Sequence, residues 1–144
     1  IITAFHLFST LALGADVCNS ARGMMFALGC IQARRCNDNS CPVGIATQDP
    51  SRVQGLDAKD KASRVFEHHR ATIEGLLELV GMAGLNDTTE IHRHHILRRI
   101  DTLTIKHFGQ LYPFLEENGL LQADDISNDW ISDWNIASAD AWNH

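Results

Sequence analysis

The 144 residues predict an α/β fold continued by a helical extension, mostly helical as an isolated chain. Three observations carry this reading. About the first thirty residues alternate helix, short apolar strand and helix, the repeating unit of parallel-sheet α/β folds. A loop of about twenty residues then breaks every hydrophobic period, with three cysteines at its entrance. After it, apolar residues recur at three and four over residues 57–82, one face of a long helix.

Thr3 is placed to cap a helix over residues 3–13, with Phe5, Leu7, Phe8, Leu11 and Leu13 on its apolar faces and Gly14 as its stop. Residues 15–20 read as a short buried strand. Residues 22–32 read as a second helix, packed through Met24, Met25, Phe26, Leu28 and Ile31. From Arg34 to Leu56, Asn, Asp, Ser, Pro and Gly accumulate. A loop of that length inside a domain needs an organiser, and a metal centre at its cysteines would supply one. Asp57 is placed to cap the long helix, and Asp60 lies near the positive end of its dipole. Ala62, Val65, Phe66, His69, Ile73, Leu76, Leu77 and Val80 make its apolar face, and Gly84 stops it. The capping-box spacing of "DTTE", residues 87–90, opens a further helix through about Arg99, and a shorter helical piece covers 103–111 before Pro113. Beyond Leu121 the chain is acidic and polar, with Trp130, Trp134 and Trp142, and reads as a loosely ordered tail. The expected organisation is thus 1–56 for the helix–strand–helix unit and its cysteine loop, 57–121 for the helical extension, and 122–144 for the tail.

Charge and hydropathy exclude several classes. Twelve Lys and Arg against eighteen Asp and Glu give a net charge of −6, the wrong sign for a sequence-independent nucleic-acid surface. No apolar run reaches the ~18 residues a membrane span requires. The apolar opening lacks a basic flank and contains His6, so it is not read as a signal peptide. A chain that starts at Ile1-Ile2 reads as cut from something longer, and the expected location is cytoplasmic. In that reducing setting, clustered cysteines point to metal or redox chemistry rather than disulfides.

Cys30, Cys36 and Cys41 have the spacing C-x5-C-x4-C, with Pro42 following. Unrelated loop thiols are one reading. Zinc is another, although its usual pairing is C-x2–4-C and no histidine lies between residues 7 and 67. An all-thiolate site suits an iron–sulfur cluster better, and three cysteines match a three-iron, four-sulfide centre. If the three share one centre their sulfurs converge, leaving Cys18 apart on the strand.

The stretch "LALGADVCNSARGMMFALGCIQARRCNDNSCPVGIATQDP" closely resembles the end of the FMN-binding synthase domain of glutamate synthases. It is most similar to the stand-alone glutamate synthase-related FMN-binding domain proteins. The matching residues are Gly14-Ala15-Asp16, Ala27-Leu28-Gly29-Cys30, Cys36, Cys41-Pro42, Gly44 and Ala46-Thr47-Gln48. A weaker likeness runs on to about residue 120, through "LYPFL".

That resemblance implies a (β/α)8 barrel binding FMN beside a 3Fe–4S cluster. Residues 3–13 would be its seventh helix, 15–20 its eighth strand and 22–32 its eighth helix. Ala21, Arg22 and Gly23 would then hold the flavin phosphate, and Cys30, Cys36 and Cys41 the cluster. At that turn the family often shows Gly-Thr or Gly-Ser where this chain has Ala21-Arg22. The parent would be an oxidoreductase acting on CH–NH2 donors, forming L-glutamate from 2-oxoglutarate and glutamine-derived ammonia. Its partners would be the missing N-terminal barrel portion, a small-molecule substrate, and a ferredoxin or NADPH-dependent reductase as electron donor. By itself this stretch would be inactive. The alternative is a degenerate barrel whose cysteine loop holds structural zinc or nothing and serves as a scaffold. His92 and His95, three apart, are spaced to chelate a metal on a helix, but with His68 and His69 they are expected to be solvated or packed residues.

Overall fold

The computed structural model describes residues 1–115, 117–121 and 128–141. They belong to two units, Ile1–Phe108 and Gly109–His144. About half of the chain is helical.

The first unit is built on two helices. Helix α1 (Ala4–Ala12) starts where Thr3 accepts the His6 amide, as its sequence predicts. Helix α4 (Ala58–Met82) starts where Asp57 accepts the amides of Lys59 and Asp60. Phe8 and Ala12 of α1 and Leu76 and Val80 of α4 are each four apart, so each pair lies on one helix face. With Ile91 and Ile96 they form the buried core, against which Leu7, Leu11, Leu79, Leu85 and Phe108 pack. Helix α2 (Arg22–Leu28) packs on the N-terminal half of α4, Gly23 facing His68 and Gly29 facing Arg64 and Lys61, so the two run antiparallel. A single turn, α3 (Pro50–Val53), interrupts the irregular segment between α2 and α4.

Four expectations for the first unit need correction. Residues 15–20 are irregular rather than a strand. A strand exists through its neighbour's hydrogen bonds, and no described residue offers one here. The segment is tied instead by Ser20 Oγ donating to the Ile1 carbonyl at 2.8 Å and the Ile1 amine donating to that of Asn19 at 3.3 Å. Helix α2 ends at Leu28, four residues early, because Gly29 takes a left-handed conformation (φ 102°) and turns the chain away.

The helix expected through Arg99 is replaced by turns of 3₁₀ helix at Thr88–Glu90 and Arg93–His95, then a strand, β1 (Leu97–Arg99). Ile91 and Ile96 are both buried, yet five residues apart they would sit about 140° apart on an α-helix. The broken path lets both face the core. The helix expected over 103–111 is likewise a strand, β2 (Ile105–His107), and one helical turn, α5 (Phe108–Leu111). The two strands pair antiparallel with Arg98 opposite Lys106, so the strands stand at 97–107 rather than near residue 15.

In the second unit, Gly119–Leu121 form a 3₁₀ turn and Asn128–Ile136 a helix, α6, where a loose tail was expected. Trp130 and Trp134, four apart, fall on one face of α6. Trp142 lies outside the described residues. Among the described residues no helix is long and apolar enough to cross a membrane.

Candidate metal centre

The cysteine loop leaves α2 through Gly29, whose amide reaches the Phe26 carbonyl at 2.9 Å while that of Cys30 reaches Met25 at the same distance. Cys30 is half-buried, and its sulfur accepts the Gln32 amide at 3.5 Å. Cys36 opens an exposed turn over residues 36–39. Cys41 is buried, 8% exposed.

The surroundings of Cys41 make its thiol easier to ionise than usual. Backbone amides, that of Ala46 foremost and then that of Val43, hold its thiol below the ordinary range; burial pushes the other way, and Ile45 and Gly44 add to the lowering. Amide dipoles near a sulfur favour its ionised form without a cation. Gly44 makes this turn possible at φ 76°, and a Cβ there would collide with the Arg52 carbonyl oxygen.

Polar contacts close the rest of the loop. The Asn39 side chain accepts the Gln48 amide at 2.6 Å, and Thr47 Oγ1 donates to the Asn39 carbonyl at 2.6 Å. Arg52 reaches across to donate to the Ser40 carbonyl and pairs with Asp49 at 3.3 Å. Asp38 accepts the Ser40 amide at 3.0 Å and pairs with Arg35 at 3.0 Å. Cys36, Asn37, Asn39, Ala46, Thr47 and Gln48 line an open polar cleft of about 440 Å³. Sequence reasoning missed Asn39 and Arg52; their partners lie 8 to 12 residues away, and no local period announces them.

The expected convergence of three sulfurs is not found. Among the described residues no group of three or more His, Cys, Asp or Glu side chains is gathered so as to hold a metal ion. Three local demands separate the cysteines: the helix exit places Cys30, an exposed turn carries Cys36, and amides draw Cys41 inward. Cys18 stands apart, half-buried in a cavity of about 350 Å³ whose lining includes Asp16, Ser20, Met24 and His68 but none of the other cysteines.

Of the residues expected at a flavin phosphate, Ala21 and Arg22 are exposed and Gly23 is buried. No side chain caps this helix start. A Cβ at Gly23 would come within 2.9 Å of Ser20 Oγ and 3.1 Å of the Ile1 carbonyl oxygen, so Gly23 serves close packing. The histidines make a stack outside this loop. The rings of His94 and His95 are 4.1 Å apart and those of His92 and His95 6.0 Å. The His92 amide donates to His95 Nδ1 at 2.9 Å. Burial first, then His94 and His92, press the His95 pKa down.

Residues 1–86 match the family model described as the conserved region in glutamate synthase. The glutamate synthase large subunit-like protein YerD of Bacillus subtilis (strain 168) is 40% identical over 111 residues, which cover 77% of this chain and 21% of that protein. The archaeal NADPH glutamate synthase of Methanocaldococcus jannaschii is 41% identical over 80 residues, 56% of this chain and 16% of the relative. The chloroplastic ferredoxin-dependent glutamate synthase 2 of Arabidopsis thaliana is 33% identical over 119 residues, 81% of this chain and 7% of the relative. The chain thus spans about a fifth, or less, of the length of these relatives. No solved structure matches it significantly. With its cysteine loop inside the matched region, the chain belongs to the glutamate synthase family.

Proposed function

We propose that this chain is part of an FMN and iron–sulfur oxidoreductase that forms L-glutamate reductively from 2-oxoglutarate and glutamine-derived ammonia. The observation that carries the reading is Cys41: a buried thiol held toward thiolate by the amides of residues 43–46, inside the segment that matches the family. The donor set fits chemically, since soft thiolates suit iron–sulfur centres and amide donors to sulfur tune them. Residues 1–56 would close a (β/α)8 barrel whose other strands lie in the longer protein. That surrounding sheet would supply the pairing that residues 15–20 need to become a strand. Residues 57–121 would extend the same domain and 122–144 would be its polar tail, in a cytoplasmic enzyme.

When bound, the cluster would supply one-electron transfer and the flavin two-electron reducing chemistry. Cys30, Cys36 and Cys41 would bind the cluster. The amides of 43–46 would offset its negative charge, and the Asn39–Thr47–Gln48 contacts would keep that turn folded. The uncapped start of α2, Ala21 to Gly23, would donate amides to the flavin phosphate. Ferredoxin and NADPH both occur in the relatives' names, which supports an electron-donor protein or subunit as partner.

The test is Cys36→Ser in the full-length protein. Serine is a harder and more basic ligand than thiolate, so iron and sulfide should fall to near nothing while flavin absorbance persists. Unchanged iron content and turnover would overturn the assignment. The scaffold reading, with structural zinc or a metal-free loop, draws support from the ungathered sulfurs. Anaerobic purification separates the two: brown protein containing iron supports the first, colourless protein with zinc or no metal the second.

A further inference from the structure

Three histidines meet at the 3₁₀ turn that carries the chain between two core isoleucines. The turn is Arg93–His95, and Ile91 and Ile96 on either side of it are 6% and 4% exposed. His95 closes the turn from within. Its Nδ1 accepts the His92 amide at 2.9 Å, and its own amide donates to the His92 carbonyl at 3.0 Å. The next residue, Ile96, accepts the Phe108 amide at 3.0 Å, which ties the base of the β1–β2 hairpin to the same point. An imidazole that accepts at Nδ1 is neutral and carries its proton on Nε2, whereas the imidazolium has donors only. A proton on Nδ1 would set donor against donor and cost the His92 amide its acceptor.

The surroundings of His95 oppose that proton. The side chain is half-buried, and the rings of His94 and His92 lie 4.1 and 6.0 Å from its own. Burial first, then the charges of His94 and His92, press its pKa below 6.5. The turn packs against α1, whose titratable side chain is His6, and against β2, which carries Lys106 and His107. The α4 residues in the neighbouring core are apolar, Leu76, Leu79 and Val80. Along the chain itself stand Arg93, and Arg98 and Arg99 of β1. Of the carboxylates before the turn, Asp87 holds the Thr89 amide and Glu90 that of Asn86. We propose that this turn is a proton-operated latch: neutral His95 holds Ile96 and the base of the hairpin against the core, and a proton on its Nδ1 releases them.

The sign follows from linkage. A histidine with a lower pKa in the closed turn than in the open one stabilises the closed turn above the open value, near 6.5. That contribution is lost as the pH falls from there to the closed value.

The experiment uses the full-length protein as wild type, His95→Asn, His95→Phe and His94→Asn. Amide protection factors, which remove the intrinsic pH dependence of exchange, are measured by mass spectrometry from about pH 8 to 5. Peptides covering 91–108 report the latch, and residues 60–75 of α4 serve as control. Wild-type protection over 91–108 should hold steady above about 6.5 and fall by up to about tenfold per pH unit below it, while the control stays unchanged. Asparagine offers Oδ1 in place of Nδ1 and does not titrate, so His95→Asn should stay closed throughout. Phenylalanine offers no acceptor, so His95→Phe should show low protection at every pH. Exchange of the His95 C2 hydrogen in the wild type reads its pKa directly, with a midpoint expected below 6.5 that rises in His94→Asn. Equal pH dependence in wild type and His95→Asn would overturn the inference, as would wild-type protection in His95→Phe. A wild-type His95 midpoint at or above 6.5 would overturn it even where a variant fails to fold.

Discussion

Phe8 and Cys41 are both buried, 4% and 8% exposed, yet unlike forces bury them. Phe8 lies in an apolar cluster formed by α1, α4, Ile91 and Ile96, where removal of hydrocarbon from water supplies the stabilisation. Cys41 lies in a segment with no apolar cluster of its own. Its walls are backbone amides and its loop is closed by Asn39, Thr47, Asp49 and Arg52. The core is insensitive to direction; the loop depends on donors and acceptors meeting at the right angle. Damage to the first should spread through the unit, and damage to the second should stay local.

The largest expected effect is on the core. Phe8→Ala should lower stability by about 3–5 kcal/mol, read from urea unfolding, because truncation of a buried aromatic leaves a cavity. A loss below about 1 kcal/mol would mean that α1 is not part of the cooperative core. Next comes Gly44→Ala. A side chain at φ 76° carries strain of about 1–3 kcal/mol and would push on the Arg52 carbonyl oxygen. The amides of 43–46 should leave Cys41, whose alkylation rate at fixed pH would change while α1 and α4 amides keep their exchange protection. Loss of protection in both helices would erase the proposed distinction.

The same contrast explains what could be read from sequence. Helices α1 and α4 were legible because caps and periodicity act within a few residues: Thr3 and Asp57 are the caps, and Leu76 and Val80 lie one turn apart. Residues 15–20 have a strand's apolar pattern and no partner to pair with among the described residues, because pairing is not a local property. The hairpin at 97–107 was missed because the Asp87–Glu90 box resembles a helix start, and only the burial of both Ile91 and Ile96 rules the helix out. In the loop, three cysteines and a Cys-Pro-x-Gly pattern marked the candidate site. The amide cradle at Cys41 is backbone geometry around a positive-φ glycine, and the Arg52–Ser40 contact spans 12 residues. Neither has a signature in residue types alone.

A smaller effect is expected at a helix end. Asp57→Ala removes the acceptor for two amides that open α4, close to where the loop joins the helix. The expected loss is about 1 kcal/mol. Exchange should quicken at Lys59 and Asp60 and stay slow near Val80. Asp57→Asn should recover most of the loss, since amide oxygen caps nearly as well as carboxylate. Failure of that rescue would show that charge near the helix dipole, and not the hydrogen bonds, does the capping.

The smallest effect separates the regions by pH. Asp38 is held down at about 2 from an ordinary 3.8, first by the Ser40 hydroxyl, then by Arg35 and the Ser40 amide. A carboxylate lowered on folding stabilises the fold above its unfolded pKa, and that contribution fades as the pH falls through the folded value. The loop should therefore hold this contribution above about pH 4 and lose it between about 4 and 2. Asp49, lowered by the Ser51 hydroxyl and amide, fades in the same direction. The core has no counterpart, because no polar or charged residue is buried among the described residues. Asp38 is exposed, so the change is better read as a titration than as an unfolding energy. The Ser40 amide shift, followed by NMR from pH 5 to 2, should titrate with a midpoint near 2. Asp38→Asn should abolish that titration while the Val80 amide stays unchanged in both proteins. A midpoint near 3.8 would show that Ser40 and Arg35 do not hold the carboxylate, and the polar account of the loop would lose one of its supports.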